Sequence, residues 1–213
     1  HKIITNSKTN KNELIKKWFN QDKIQVIFNG IHFQDPKEKY NYDKKTILTV
    51  WKFYQQKDYE TNVAVIEKLA QKRDDFQVLY VWEWPDKKKI ENLVREKNLE
   101  NIIKFLWVRH DIPELMYSTD LFFLPTKYEW QANVLLEAMY YGAPIVTTNI
   151  PENREICNAF FANVWDSDSF AKDIDDILSN KVDIEEKVRE NKQFVEKFSL
   201  ENMVNEYLEI YEK

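Results

Sequence analysis

A chain of 213 residues with 43% hydrophobic and 15% aromatic content can bury a sizeable core, which excludes a disordered chain. The net charge of −5 gives no general reason to bind nucleic acid, and no run approaches the roughly 18 apolar residues of a membrane span. The single cysteine, Cys157, cannot close an internal disulfide and reads as a packing thiol; with no signal peptide at the start, a cytoplasmic protein is expected.

In chain order, residues 2–8 read as a short strand and 7–17 as a helix with Leu14 and Ile15 inward. Trp18 then falls where a helix end ordinarily takes a left-handed glycine. Residues 24–28 read as a strand closed by the turn pair Asn29-Gly30, and 35–45 as a charged connector. A buried strand starts at Thr46, and its carboxyl edge carries Trp51, Lys52 and then Lys57. Ligands of open α/β sheets sit at that edge. Val63, Ile66 and Leu69 give a helix over 59–71, and 76–81 is the next strand. Trp82-Glu83-Trp84-Pro85 follows, with a helix through Leu93 and Val94. After a strand at 102–106 come Trp107 and Arg109, and Asp111 is placed to cap a short helix that turns Leu115 and Met116 inward.

Residues 122–144 organise the chain. An apolar strand runs into a polar elbow, Asn133 is placed to cap a helix over 134–141, and Gly142 with Pro144 ends it. The first N–H groups of such a helix lack intrahelical partners and its dipole is positive there, so the elbow suits an anion. Glu129 and Glu137 frame it, eight positions apart. Phosphates in the middle and polyols at both ends describe a nucleotide-sugar. Beyond the elbow come strands at 144–148 and 160–164 and helical segments at 151–156, 170–178 and 184–198. The last segment, 199–211, gathers Leu200, Met203, Val204, Tyr207, Leu208 and Tyr211 on one face. Strand-helix alternation of this kind predicts a doubly wound parallel α/β sheet.

The elbow resembles the Glu-x7-Glu signature of retaining glycosyltransferases of the GT-B fold, family 4 above all. The likeness includes Asn-Val-Leu-Leu-Glu-Ala-Met at 133–139 and Tyr-Gly-Ala-Pro-Ile-Val at 141–146. It covers nearly the whole chain and implies the Rossmann-like C-terminal half of that fold. Residues 1–30 would be the linker and end of the first domain, and 31–213 the nucleotide-sugar donor-binding domain. The N-terminal acceptor domain would be absent, and the chain, which has no initiator methionine, is read as a fragment that is inactive alone. By the same resemblance Glu129 would meet the transferred sugar and Glu137 the ribose hydroxyls. Backbone donors of Gln131, Ala132 and Asn133 would meet the sugar and distal phosphate. Lys52 and Lys57 stand where the family has an arginine and a lysine on the donor pyrophosphate; a lysine at 52 keeps the charge and loses the two-pronged grip. Arg109 would lie near the base.

Plainer readings stand beside these: glutamates exposed around a helix start, a solvated lysine pair, a surface arginine. His32 and His110 lack metal-like spacing, and neither a metal nor another cofactor is expected. The implied partners are a UDP- or GDP-sugar, a glycan or lipid-linked acceptor in cell-surface glycan biosynthesis, and the missing half, through which any peripheral membrane association would run. A noncatalytic nucleotide-sugar-binding or interaction module with the same fold is the alternative.

Glycine averages about 7% of ordinary proteins, yet only Gly30 and Gly142 occur here, against seven tryptophans. Set against the family pattern, Trp51, Trp82, Trp84, Trp107 and Trp130 occupy glycine positions, and Trp18 and Trp165 fit the same rule. Glycine at such turns permits positive φ and lets backbone approach phosphate, which an indole does not. Two readings are open: UGA codons meaning glycine have been rendered as tryptophan, or a diverged chain fills its donor cleft with indoles near Trp51, Trp82 and Trp130.

Overall fold

The structure, a computed structural model, describes residues 2–52, 56–83 and 87–212, without the side chains of residues 51, 52, 82, 83 and 87. Trp84, and the side chains expected at the donor edge from Trp51, Lys52 and Trp82, therefore lie outside the described residues.

Two strands, β1 (Ile3–Thr5) and β2 (Ile24–Val26), pair in parallel around helix α1 (Lys8–Lys16). Ser7 caps α1 by accepting from the Asn10 N–H at 3.0 Å. Leu14 and Ile15, expected inside, are only partly buried, because a two-stranded sheet is too small to cover a helix face.

The main sheet has six parallel strands in the order β5-β4-β3-β6-β7-β8. They are β3 (Lys45–Lys52), β4 (Phe76–Glu83), β5 (Ile103–Phe105), β6 (Leu121–Leu124), β7 (Ile145–Thr148) and β8 (Phe160–Ala162). β6 and β7 are buried at every residue, as strands covered on both faces must be. Helices α2 (Tyr59–Ala70), α3 (Lys87–Glu96), α4 (Ile112–Ser118), α5 (Asn133–Tyr141), α6 (Pro151–Ile156) and α7 (Ser167–Leu178) connect and flank the strands. Right-handed crossovers put α2 and α3 on one face and α4 to α6 on the other. The packing agrees: α2 lies against α7, and α5 against α4, α6 and α8 (Glu185–Val195). Phe123 of β6 meets Phe170 of α7 edge to face, centroids 5.3 Å apart. One run of buried polar groups is paired across elements. Asn62 accepts from the Tyr80 hydroxyl and donates to Thr49 Oγ1 at 3.4 Å, and Thr49 donates to the Phe123 carbonyl at 3.0 Å.

Three local expectations are corrected. Asn133 does not cap α5 but opens it: Ala132 precedes the helix, and the Asn133 side chain is drawn away to Asn29. Asp111 does not cap α4 through its side chain, which is held by Arg109 and Tyr40. Gly30 serves close approach rather than a turn. A Cβ there would lie 2.6 Å from the Ser199 carbonyl oxygen and 2.8 Å from Leu200 Cα, at the start of α9 (Leu200–Tyr211). The apolar face of α9 is uncovered in this chain: Leu200, Val204, Leu208 and Tyr211 are exposed.

Candidate functional site at the switch point

From β3 the chain winds outward to β4 and β5, then returns to lay β6 on the other side of β3 before continuing to β7 and β8. The β3/β6 boundary, with Ile47 opposite Leu121 and Leu48 opposite Phe122, is therefore the topological switch point. In doubly wound sheets the segments that leave such a pair of strands frame the ligand crevice at their carboxyl ends.

Those two segments are laced together. The Lys127 N–H donates to the Gln56 carbonyl at 2.7 Å, and the Thr126 hydroxyl donates to the same oxygen at 3.0 Å. The Thr126 N–H is held by Thr148 Oγ1 at 2.8 Å, tying the elbow to β7 as well. On this base Lys57 Nζ, from the β3 side, makes an ion pair with Glu129 Oε1, from the β6 side. Both residues are buried, 8% and 6% exposed. The pair brings together, from 72 positions apart, two groups that the sequence flagged separately. A buried ion pair is held against its desolvation cost only by good geometry and further partners. Gln56 Nε2, 3.5 Å from the other Glu129 oxygen, is one.

The elbow is also strapped from behind. Gln131 Oε1 accepts from the Asn29 N–H at 2.8 Å, and Gln131 Nε2 donates to the Asn29 carbonyl at 3.2 Å. Asn29 Nδ2 donates to Asn133 Oδ1 at 3.1 Å. These side chains are spent on fixing the elbow, which leaves the backbone for any ligand. Leu135 N–H bonds the Ala132 carbonyl at 2.8 Å, while among the described residues no protein acceptor meets the N–H groups of Asn133 and Val134. One turn further on, burial pushes the Glu137 carboxyl up to about 7.

Of the other expected site residues, Arg109 is engaged elsewhere. The Arg109 guanidinium grips Asp111 with two bonds, 2.7 Å and 2.5 Å, and the Tyr40 hydroxyl donates to Asp111 at 2.7 Å. The Arg109 bond holds the Asp111 carboxyl down to about 2. Arg109 is thus at the carboxyl edge beyond β5 but already engaged. Trp130 stands in the elbow, 71% exposed. Cys157 is buried, and its thiol is pushed up to about 12 by that burial.

Sequence reasoning missed Asp58 and Asn29. Asp58 is 2% exposed beside Lys57; one oxygen accepts from Thr61 Oγ1 at 2.8 Å, and the other lies 3.9 Å from Lys127 Nζ. Asn29 reads locally as half of a turn; its bonds to residues 131 and 133 span more than a hundred positions and leave no local signal.

A doubly wound sheet with a carboxylate-framed elbow at its switch point defines the C-terminal domain of the GT-B glycosyltransferase class, and no helix among the described residues is long and apolar enough to cross a membrane. Comparison with known proteins agrees and narrows the class. Residues 31–194 match the model of the family described as glycosyl transferases group 1, and the chain belongs to that family. An uncharacterized glycosyltransferase of Methanocaldococcus jannaschii is 29% identical over 98% of this chain and 59% of its own length. A glycosyltransferase structure from Rickettsia africae superposes with a TM-score of 0.88 at 23% identity, covering 99% of this chain and 62% of that one. The structure of Anabaena HepE in complex with UDP and glucose superposes at 0.82 with 19% identity, covering 99% and 63%. The chain thus spans about three fifths of the length of these proteins.

Proposed function

We propose that this chain is the donor-binding half of a retaining, metal-independent glycosyltransferase that moves a sugar from a nucleoside diphosphate to a glycan or lipid-linked acceptor. The observation that carries the reading is the buried Lys57–Glu129 pair set across the switch point, directly before the open end of α5. In this reading residues 1–30 are the linker, residues 31–213 the donor domain, and a first domain absent from this chain binds and activates the acceptor.

Glu129 accepts from hydroxyls of the transferred sugar, and Glu137 from those of the ribose. Lys52, Lys57 and the N–H groups of Gln131, Ala132 and Asn133 surround the diphosphate. Negative charge builds on the leaving diphosphate as the glycosidic bond breaks. Fixed cations and dipoles already pointing at it lower that barrier, because they need no reorganisation. Lys57 has three N–H donors, so it keeps Glu129 oriented while a second donor turns to phosphate. Anabaena HepE, solved with UDP and glucose, supports a nucleotide-sugar in a domain of this fold. The Klebsiella pneumoniae relative from a cps region and the Rhizobium meliloti lipopolysaccharide core glycosyltransferase support a cell-surface glycan as the product.

The exposed Trp130 in the elbow favours a second reading, a noncatalytic nucleotide-sugar-binding or interaction module. Titration calorimetry of UDP-, GDP- and ADP-sugars against this chain, its Lys57→Ala variant and a version with all seven tryptophans changed to glycine separates the two. Binding that needs Lys57 supports the donor site. No binding by the chain or its glycine version moves the function to an interaction module.

A further inference from the structure

Among the described residues, five other than glycine have positive φ, and three of them are tryptophans: Trp18 at 69°, Trp107 at 60° and Trp165 at 64°. The other two are Asn98 and Asn180, a residue type whose short polar side chain tolerates this conformation. Tryptophan has a Cβ and a bulky ring, which clash with the backbone in this conformation.

The same motif recurs with different residues in it. At the end of α1 the Trp18 N–H bonds the Ile15 carbonyl at 3.0 Å and the Phe19 N–H bonds the Leu14 carbonyl at 3.1 Å. That is a Schellman helix end, whose left-handed residue is most often glycine. After α5 the same pair of bonds, from Gly142 to Met139 at 3.2 Å and Ala143 to Ala138 at 3.0 Å, surrounds glycine at φ 75°. After α3 and α7 the left-handed position holds Asn98 and Asn180. Glycine, asparagine and tryptophan thus fill one backbone role, and only tryptophan is unsuited to it. At Trp165 the Asp166 N–H reaches back to the Asn163 carbonyl at 3.1 Å, which makes Trp165 the third residue of a turn needing positive φ there.

Burial does not offset that clash at Trp18 and Trp165. Trp18 is 95% exposed and Trp165 69%, whereas tryptophan is highly buried on average. Trp107 rests against Phe105 with centroids 6.2 Å apart and is still 37% exposed.

We propose that glycine, not tryptophan, occupies positions 18, 107 and 165 in the working protein, and with them 51, 82, 84 and 130. A single cause covers all seven: UGA codons, which different genetic codes assign to glycine or to tryptophan. The exchange also removes two indoles from positions 51 and 82, which face each other in register at the carboxyl ends of β3 and β4. That last consequence bears on the donor reading; the proposal itself stands on backbone geometry and is tested without any ligand.

The test is to sequence the gene and measure peptide masses of the protein isolated from its source cells. UGA codons and glycine-mass peptides at positions 18, 107 and 165 are expected; UGG, or a tryptophan mass, at any of the three overturns the proposal. A folding measurement on this chain is independent of the source. Trp18→Gly and Trp165→Gly should each raise the melting midpoint by about 2–4 °C, while Trp18→Ala and Trp165→Ala, which keep the Cβ, should not. A lower midpoint for the glycine variants than for the alanine variants would overturn it.

Discussion

Replacing Glu137 by glutamine tests the electrostatics of the elbow helix. Burial raises the carboxyl from 4.5 to about 7 in the folded chain. Below pH 4.5 the group is protonated whether the chain is folded or not, and it costs nothing. As pH rises from 4.5 the unfolded chain loses the proton while the folded chain keeps it, so stability falls until the folded group also ionises near pH 7. Above that the loss is complete. A shift from 4.5 to about 7, at about 1.4 kcal/mol per unit, amounts to about 3 kcal/mol. Glu137→Gln removes the ionisation and with it the loss. Urea unfolding should show the variant gaining about 3 kcal/mol on the parent between pH 4 and pH 8, on top of any pH-independent packing change. An identical stability difference at both pH values would refute the reasoning. The same variant should bind nucleotide-sugar more weakly if the ionised carboxylate accepts from ribose hydroxyls, which is the expected reason for keeping a destabilising group there.

Lys57→Met or Glu129→Leu alone should cost about 3–5 kcal/mol by stranding a buried charge, while the double variant should recover most of that stability; additive losses in a double-mutant cycle would contradict the coupling. Gly142→Ala should cost about 1–2 kcal/mol at its φ of 75°, the reverse of the change expected at Trp18. Gly30→Ala should cost about 1–3 kcal/mol in thermal unfolding, because the new methyl meets backbone at residues 199 and 200. Leu208→Asp should leave the stability of this chain within about 0.5 kcal/mol, since the side chain is half exposed; a large loss would show that α9 packs here in a way its exposure does not reveal.

The sequence by itself determined the alternation of strands and helices, because buried parallel strands such as 121–124 and 145–148 are unbroken apolar or β-branched runs and the helices between them carry their own period. It also marked the elbow, since Glu129, Glu137 and the helix start lie within a few residues of one another. Local chemistry reached its limit at the caps. Asn133 and Asp111 are sound helix-capping residues, and each was claimed instead by a partner distant in sequence or outside the helix. Only the tertiary structure decided that β6 returns beside β3, that Lys57 thereby meets Glu129, and that Asn29 clasps the elbow. Each is a contact between segments about seventy to a hundred residues apart, and a one-dimensional pattern records what a residue prefers nearby, not which distant group will satisfy it once the core has closed.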